Sequence, residues 1–272
     1  MSAKQLRMRR LFPKGRCVIL PMDHPSFFGP MAGVEDPVGL VRDAAESPAD
    51  GLLLTLATLR RVAGVIGHLG VVARLDGTAT RLGSHLTRFK RFSSVEAALA
   101  AGADACVLNV YVGVENEDDL LRKLGETAEQ CERWGMPLIA EMIPAAALAG
   151  HFGPSAKPPS EAELTEQVAL AARVGAEHGA DAIKTVYTGS AESFRQVTAA
   201  ATVPVVIAGG PCADSPSGLL EMTEAGLGAG AMGVIYGRNV WQRPNRKEIL
   251  RALCAVVHEG TSAGEAAMRF AL

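Results

Sequence analysis

The sequence predicts a single α/β domain, a (β/α)8 TIM barrel, and three observations predict it. Eight short apolar runs recur along 272 residues, helix-like segments separate several of them, and the length is ordinary for one such barrel. The runs are CVILPMDH (17–24), GLLLTL (51–56), VVARLDG (71–77), DACVLNVYVG (104–113), PLIAEMIP (137–144), DAIKTVYTG (181–189), PVVIAGGP (204–211) and AMGVIYGRNV (231–240). Their nearly unbroken Val, Ile and Leu content suits parallel strands covered on both faces. A doubly wound open sheet is the competing architecture. No G-x-G-x-x-G follows the first run, which weakens a dinucleotide-binding version of it.

The intervening segments read as helices. Residues 117–135 carry apolar side chains at helical spacing and stop on Gly135 before Pro137. Residues 160–179 open with Ser-x-x-Glu, a capping-box pattern, and stop on Gly179. Residues 94–104 and 193–204 read the same way, and the chain closes on another helical stretch expected to pack outside. Strands alternating with helices imply βα units. The segment 146–160, after the fifth run, contains Pro and Gly and is expected to be a long loop on the catalytic face. No linker divides the chain. The expectation is one domain over 1–272 with a cationic N-terminal arm or helix at about 1–15.

Formal net charge is -2, which speaks against a general nucleic-acid binder or a membrane-surface protein. The basic start, MSAKQLRMRRLF, has no apolar stretch behind it and does not read as a secretory signal. Five cysteines, an odd number with no C-x-x-C pair, point to reduced thiols and hence to the cytoplasm. Six scattered histidines form no tight ligand spacing, so neither a metal nor another cofactor is expected. Trp134 and Trp241 read as packing residues.

Lys184 is the first candidate for chemistry. It sits inside the apolar run DAIKTVYTG, where an unpartnered ammonium would cost several kcal/mol. A lowered pKa would leave a neutral amine able to attack a carbonyl; pairing with a carboxylate, or reaching solvent, is the plainer account. The seventh and eighth runs end in glycine-bearing turns. Backbone at Gly209, Gly210 and Gly237 can approach an anion closely, and Arg238 can add a charge-assisted contact. The loops after strands 7 and 8 are where barrels of this class commonly bind phosphate. Each glycine taken alone is equally a tight-turn residue.

Asp23 and His24 end the first run. Asp23 is a candidate to hold protonated Lys184 or to shuttle a proton, against the alternative of a turn aspartate before Pro25. Asp76, beside Gly77, reads better as a turn, while Arg74 and Arg81 are ambiguous. Asn109 and Tyr111 share one strand face, as do Glu141 and Ile143. A glutamate inside an apolar strand either points into the site or neutralises a neighbour.

The stretches AEQCERWGMPLIAEMIP, DAIKTVYTG and PVVIAGGPCAD…GAGAMGVIYGRNVWQ resemble the archaeal-type class I fructose-bisphosphate aldolase family. That family includes 2-amino-3,7-dideoxy-threo-hept-6-ulosonate synthase and the thiolase acting on the phosphorylated autoinducer-2 breakdown product. The likeness runs from about Leu20 to the end. It implies a (β/α)8 barrel and pentamers or decamers. It places the Schiff-base amine on Lys184, the first-strand aspartate on Asp23, and a phosphate cradle on Gly209, Gly210, Gly237 and Arg238. One departure matters. The aldolase and synthase branches usually end the fifth strand with Tyr-Pro-Arg-Gly, the tyrosine being the general acid/base. Here the stretch is Ile143-Pro144-Ala145-Ala146. Imine formation carries over and that tyrosine's proton transfer does not, which leaves Tyr111, Glu141 or His24 to supply it.

The expected function is a metal-independent aldolase that makes or breaks a C–C bond of a small phosphorylated ketose or ketone through an imine on Lys184. A thiolase-like acyltransferase, a barrel isomerase or epimerase without a covalent adduct, and a non-catalytic phosphosugar-binding descendant are the competing expectations.

Overall fold

The computed structural model describes residues 2–148, 158–210 and 212–272. Eight parallel strands close on themselves: β1 (Cys17–Pro21), β2 (Gly51–Thr55), β3 (Gly70–Arg74), β4 (Ala105–Val112), β5 (Leu138–Pro144), β6 (Ala182–Val186), β7 (Val205–Ala208) and β8 (Gly233–Ile235), with β8 pairing back onto β1. All eight apolar runs become strands, and six of them end short of the polar or glycine-bearing tail of the run. Those tails are the loops of the C-terminal face.

Strand parity decides what the barrel holds. Successive side chains point to opposite faces, so every second residue faces the interior. Cys17, Ile19, Leu53, Val72, Val107, Ile139, Ala182, Val206 and Ile235 form one buried interior cluster. A second, larger cluster, which includes Val18, Leu52, Val71, Cys106, Ile183 and Val234, lies between the strands and the outer helices. Two steps along from the interior cluster come Arg74, Asn109, Glu141 and Lys184. Lys184 stands opposite Glu141, and Glu141 opposite Asn109, in the strand register. Parity carries these polar side chains inward at the level where the apolar filling stops.

The helices follow from their ends. Helix α1 (Ala3–Leu11) starts at Ser2 in a reciprocal capping box with Gln5. It closes the floor of the barrel: Leu11 is fully buried and Phe12 nearly so, within the interior cluster. A Cβ at Gly70 would lie 2.8 Å from a Leu11 methyl, so glycine at the foot of β3 makes room for this plug. Helix α2 (Glu117–Trp134) carries Glu117, Asp118 and Asp119 in its first turn and ends on left-handed Gly135. Helix α3 (Glu161–Glu177) has the capping box expected at Ser160 and Glu163. The C-terminal helix α4 (Ala263–Arg269) packs against the helix Pro216–Gly228 on the outside.

Two expectations change. Asp76 is not a turn residue: its side chain is fully buried, and Asp76–Gly77 pair antiparallel with Lys90–Arg91. Trp134 is not a packing residue; it is 42% exposed and donates from its indole to Glu96. Trp241 is buried, as expected, and donates to the Pro21 carbonyl. Of the loop expected at 146–160, residues 149–157 lie outside the described residues. No helix among the described residues is long and apolar enough to cross a membrane.

Candidate active site

A single cavity at the C-terminal mouth brings the sequence candidates together. Asp23, His24, Tyr111, Glu141, Lys184, Gly209, Gly210, Gly237 and Arg238 all line it, from six strand ends and their loops. Arg81 does not. The cavity is also lined by Arg74, Asn109, Phe27, Phe28 and Ile143.

Lys184 is 3% exposed, and its Nζ lies 2.6 Å from Glu141 Oε1. The plainer account of a strand lysine, a carboxylate partner, therefore holds, and that pair faces the cavity. The partner is Glu141, not Asp23. Asp23 is instead gripped by Arg74, whose Nε donates to Asp23 Oδ2 at 2.7 Å. The same guanidinium donates through Nη2 to Glu141 Oε2 at 2.5 Å and through Nη1 to Asp76 Oδ1 at 3.3 Å. One arginine, 4% exposed, thus ties three carboxylates from three loops and strands. Lys123, from α2, reaches the other oxygen of Asp76 at 2.5 Å and the Asn109 carbonyl at 2.9 Å. The Asn109 backbone N–H also donates to Asp76.

These contacts set the charge states. Burial pushes the Asp23 carboxyl up, but Arg74, with His24 and Lys184 beside it, overrides this and holds it well below the usual carboxylate range. Glu141 is likewise raised by burial and brought below its ordinary value by Lys184 and Arg74. Both are carboxylates at neutral pH. Burial lifts the Tyr111 phenol, and the Glu141 charge lifts it further, so Tyr111 stays protonated. Burial pushes the Lys123 ammonium down, and Asp76 offsets only part of that. His24 Nδ1 lies 3.5 Å from Asp23 Oδ1.

The glycine turns are built as a unit. Gly210 adopts φ +58°, a left-handed conformation that side chains disfavour. Asn239, fully buried, donates to the Gly209 carbonyl at 2.8 Å and accepts from the Ala213 N–H at 2.7 Å, which pins the loop after β7 to the loop after β8. Arg238 sits beside them, half-buried, and its Nε has no hydrogen-bond partner among the described residues. Burial lowers its pKa from the ordinary guanidinium value.

Ile143 occupies the cavity wall where the resemblance puts a tyrosine. It is 7% exposed, and its strand neighbour in register is Tyr111. Sequence reasoning left Arg74 ambiguous and did not single out Lys123 or Asn239. A signal for Arg74 exists: an arginine two residues after Val72 has the same inward parity as the interior cluster. Asn239 is the third residue of the Gly-Arg-Asn segment. Lys123 gives no local signal, since lysine in the middle of an amphipathic helix is ordinary. No group of three or more His, Cys, Asp or Glu with metal-holding geometry occurs among the described residues.

Comparison with known proteins places this arrangement. Residues 17–243 match the family described as DeoC/LacD family aldolase. The chain is 33% identical over 267 residues to 2-amino-4,5-dihydroxy-6-oxo-7-(phosphonooxy)heptanoate synthase of Streptomyces griseus, covering 97% of this chain and 93% of that one. It is 34% identical over 258 residues to 2-amino-3,7-dideoxy-D-threo-hept-6-ulosonate synthase of Halobacterium salinarum, covering 95% and 92%. Among solved structures it resembles an archaeal fructose-1,6-bisphosphate aldolase whose catalytic lysine is covalently bound to the carbinolamine intermediate of the substrate. That match has a TM-score of 0.81 and 29% identity, covering 93% of this chain and 99% of that one. The chain belongs to the DeoC/LacD aldolase family, with the closed eight-stranded barrel of the class I, Schiff-base aldolases.

Proposed function

We propose that Lys184 is the imine-forming amine of this aldolase, acting on a small phosphorylated ketose or ketone without a metal ion. The observation that carries the reading is the Lys184–Glu141 pair, 2.6 Å apart and facing a cavity that the Gly209, Gly210, Gly237 and Arg238 turns also line. A neutral amine must be generated to attack a carbonyl. Glu141 is placed to take the Lys184 proton and to return it to the carbinolamine oxygen, which leaves as water. The resulting iminium draws the electrons of the breaking C–C bond into an enamine, which is then protonated and hydrolysed to free the lysine. The same sequence run backwards forms the bond.

Asp23 stays ionised against Arg74, so its part is electrostatic: a fixed negative charge beside the positive iminium. Cleavage takes the proton from the substrate hydroxyl at the breaking bond: His24 is the carrier that accepts it, and returns it when the bond forms, while Tyr111, protonated and lining the wall next to Ile143, donates a hydrogen bond to that oxygen. Arg238 and the glycine turns take the phosphate, whose binding energy positions the carbonyl on Lys184. The Streptomyces griseus relative, named for a phosphonooxy-bearing product, supports a phosphorylated substrate. The cytoplasm, and an assembly of five or ten copies, complete the reading; light scattering tests the latter. Borohydride added with a panel of phosphorylated ketones, followed by intact mass, tests the chemistry: an adduct lost in Lys184→Ala supports it, and no adduct across the panel contradicts it.

A further inference from the structure

We propose that Lys123, which does not line the cavity, is a positioning residue for the reactive pair: by holding Asp76 it leaves Arg74 free to grip Asp23 and Glu141, and so sets the charge that Glu141 presents to Lys184. This rests on the reading above that Lys184 is the reacting amine, and extends it to a side chain on helix α2.

The three contacts of Arg74 are unequal. Nη2 meets Glu141 at 2.5 Å and Nε meets Asp23 at 2.7 Å, but Nη1 stands 3.3 Å from Asp76, longer than the usual N–H···O hydrogen bond. Asp76 has its close partners elsewhere. Its other oxygen accepts from Lys123 Nζ at 2.5 Å and from the Asn109 N–H at 2.9 Å. Two cations face one carboxylate, and the lysine holds the short contact. Without Lys123, Asp76 would be a fully buried carboxylate with Arg74 as its cation among the described residues. A buried charge stripped of its partner is costly. The guanidinium would then close on Asp76 and give up part of its hold on Glu141 and Asp23.

The lysine is itself fixed from three directions. Besides Asp76, Nζ donates to the Asn109 carbonyl on β4 at 2.9 Å and lies 5.6 Å from the centre of the Phe89 ring, in the loop after β3. Phe89 is buried and meets Tyr111 edge-on at 5.4 Å. The ionisable groups that share the cavity wall with Lys184 are Asp23 and His24 after β1, Arg74 on β3, Tyr111 on β4, Glu141 on β5 and Arg238 after β8, among the described residues. Of the carboxylates, Glu141 is the one in salt-bridge contact with Lys184. The share of its charge that Arg74 neutralises is therefore the quantity through which Lys123 reaches the amine.

Two measurements on Lys123→Met test this: a crystal structure, and the pH dependence of Lys184 labelling by acetic anhydride, read by peptide mass. The Arg74–Asp76 contact should shorten and the Arg74–Glu141 contact should open. Glu141, less shared, then holds the Lys184 ammonium more strongly. Only the neutral amine is acetylated, so the labelling midpoint should move up by about one pH unit. Lys123→Met/Asp76→Asn also removes the carboxylate that recruits Arg74, and should bring the midpoint back to that of the unaltered protein. Lys123→Gln, which keeps a donor without the charge, should show a smaller shift in the same direction should Lys123→Met fail to fold. An unmoved midpoint, an Arg74 that stays on Glu141, a double variant as displaced as the single one, or a Lys184 that is unlabelled at every pH would overturn the proposal. Borohydride trapping with dihydroxyacetone phosphate keeps the two readings apart. No adduct in the unaltered protein, with the shift and its reversal intact, removes the imine and supports the role of Lys123; an adduct with an unmoved midpoint does the reverse.

Discussion

The two ends of the barrel use buried and part-buried carboxylates in opposite ways. At the floor, Asp50, Asp104 and Asp181 each stand just before a strand, and each accepts a backbone N–H from the strand next to it: Val18, Val71 and Leu138, at 2.7, 2.9 and 2.8 Å. Each also has its own basic partner: His258, Arg10 and Lys4. At the mouth, Asp23, Asp76 and Glu141 share one guanidinium, and two of the three border the cavity that holds Lys184. Buried carboxylates alone therefore do not mark a site. At the floor they staple neighbouring strands, one carboxylate to one backbone donor. At the mouth they converge on shared cations around an amine that can react.

Breaking the shared cation should have the largest effect. Arg74→Ala leaves buried carboxylates short of a partner, a loss of about 3–5 kcal/mol, read as a lower midpoint in urea unfolding. Turnover should fall with it, because the Asp23 and Glu141 positions depend on the same group. Glu141→Gln keeps the size and removes the base. A drop in turnover of about 10²-fold or more is expected, with the fold intact by circular dichroism. At the floor, Asp104→Ala should cost about 1–3 kcal/mol for the orphaned Val71 N–H while borohydride trapping at Lys184 persists. A floor variant that abolished trapping at unchanged stability would erase the distinction between the two ends.

The smallest effect is an acid one. Asp23 and Glu141 have folded-state pKa values below their unfolded ones. Their contribution to stability is complete above the unfolded values of about 4 and is lost as pH falls below that. Unfolding midpoints measured from pH 6 downwards should decline below about pH 4, and Arg74→Ala should flatten that decline.

How much of this was legible in the sequence follows the same division. Strand positions show because parallel strands covered on both faces must be largely apolar, and all eight runs are, the charged exceptions Arg74, Glu141 and Lys184 lying toward the mouth. Lys184, Asp23 and the glycine turns show because each violates or ends an apolar run. The wiring does not show. Arg74 reaches carboxylates 51 and 67 residues away, and only barrel closure makes those positions neighbours. Lys123 looks like any helix lysine until α2 lays it against Asp76. Asp76 beside Gly77 has the local signature of a turn, and burial by three-dimensional neighbours overrides it. The floor carboxylates do leave a trace, an Ala-Asp pair before β2, β4 and β6. Its meaning appears only when each aspartate is seen beside the adjoining strand's first amides.

Two buried lysines stand at the mouth, and the account assigns reactivity to one of them. Lys123 is committed to Asp76 and the Asn109 carbonyl, whereas Lys184 faces the cavity. Proteolysis of the borohydride-reduced adduct with dihydroxyacetone phosphate, followed by peptide mass mapping, separates them directly. The predicted result is the full mass increment on the peptide containing Lys184 and none on that containing Lys123; an increment on any other lysine, with Lys184 unmodified, would contradict the account.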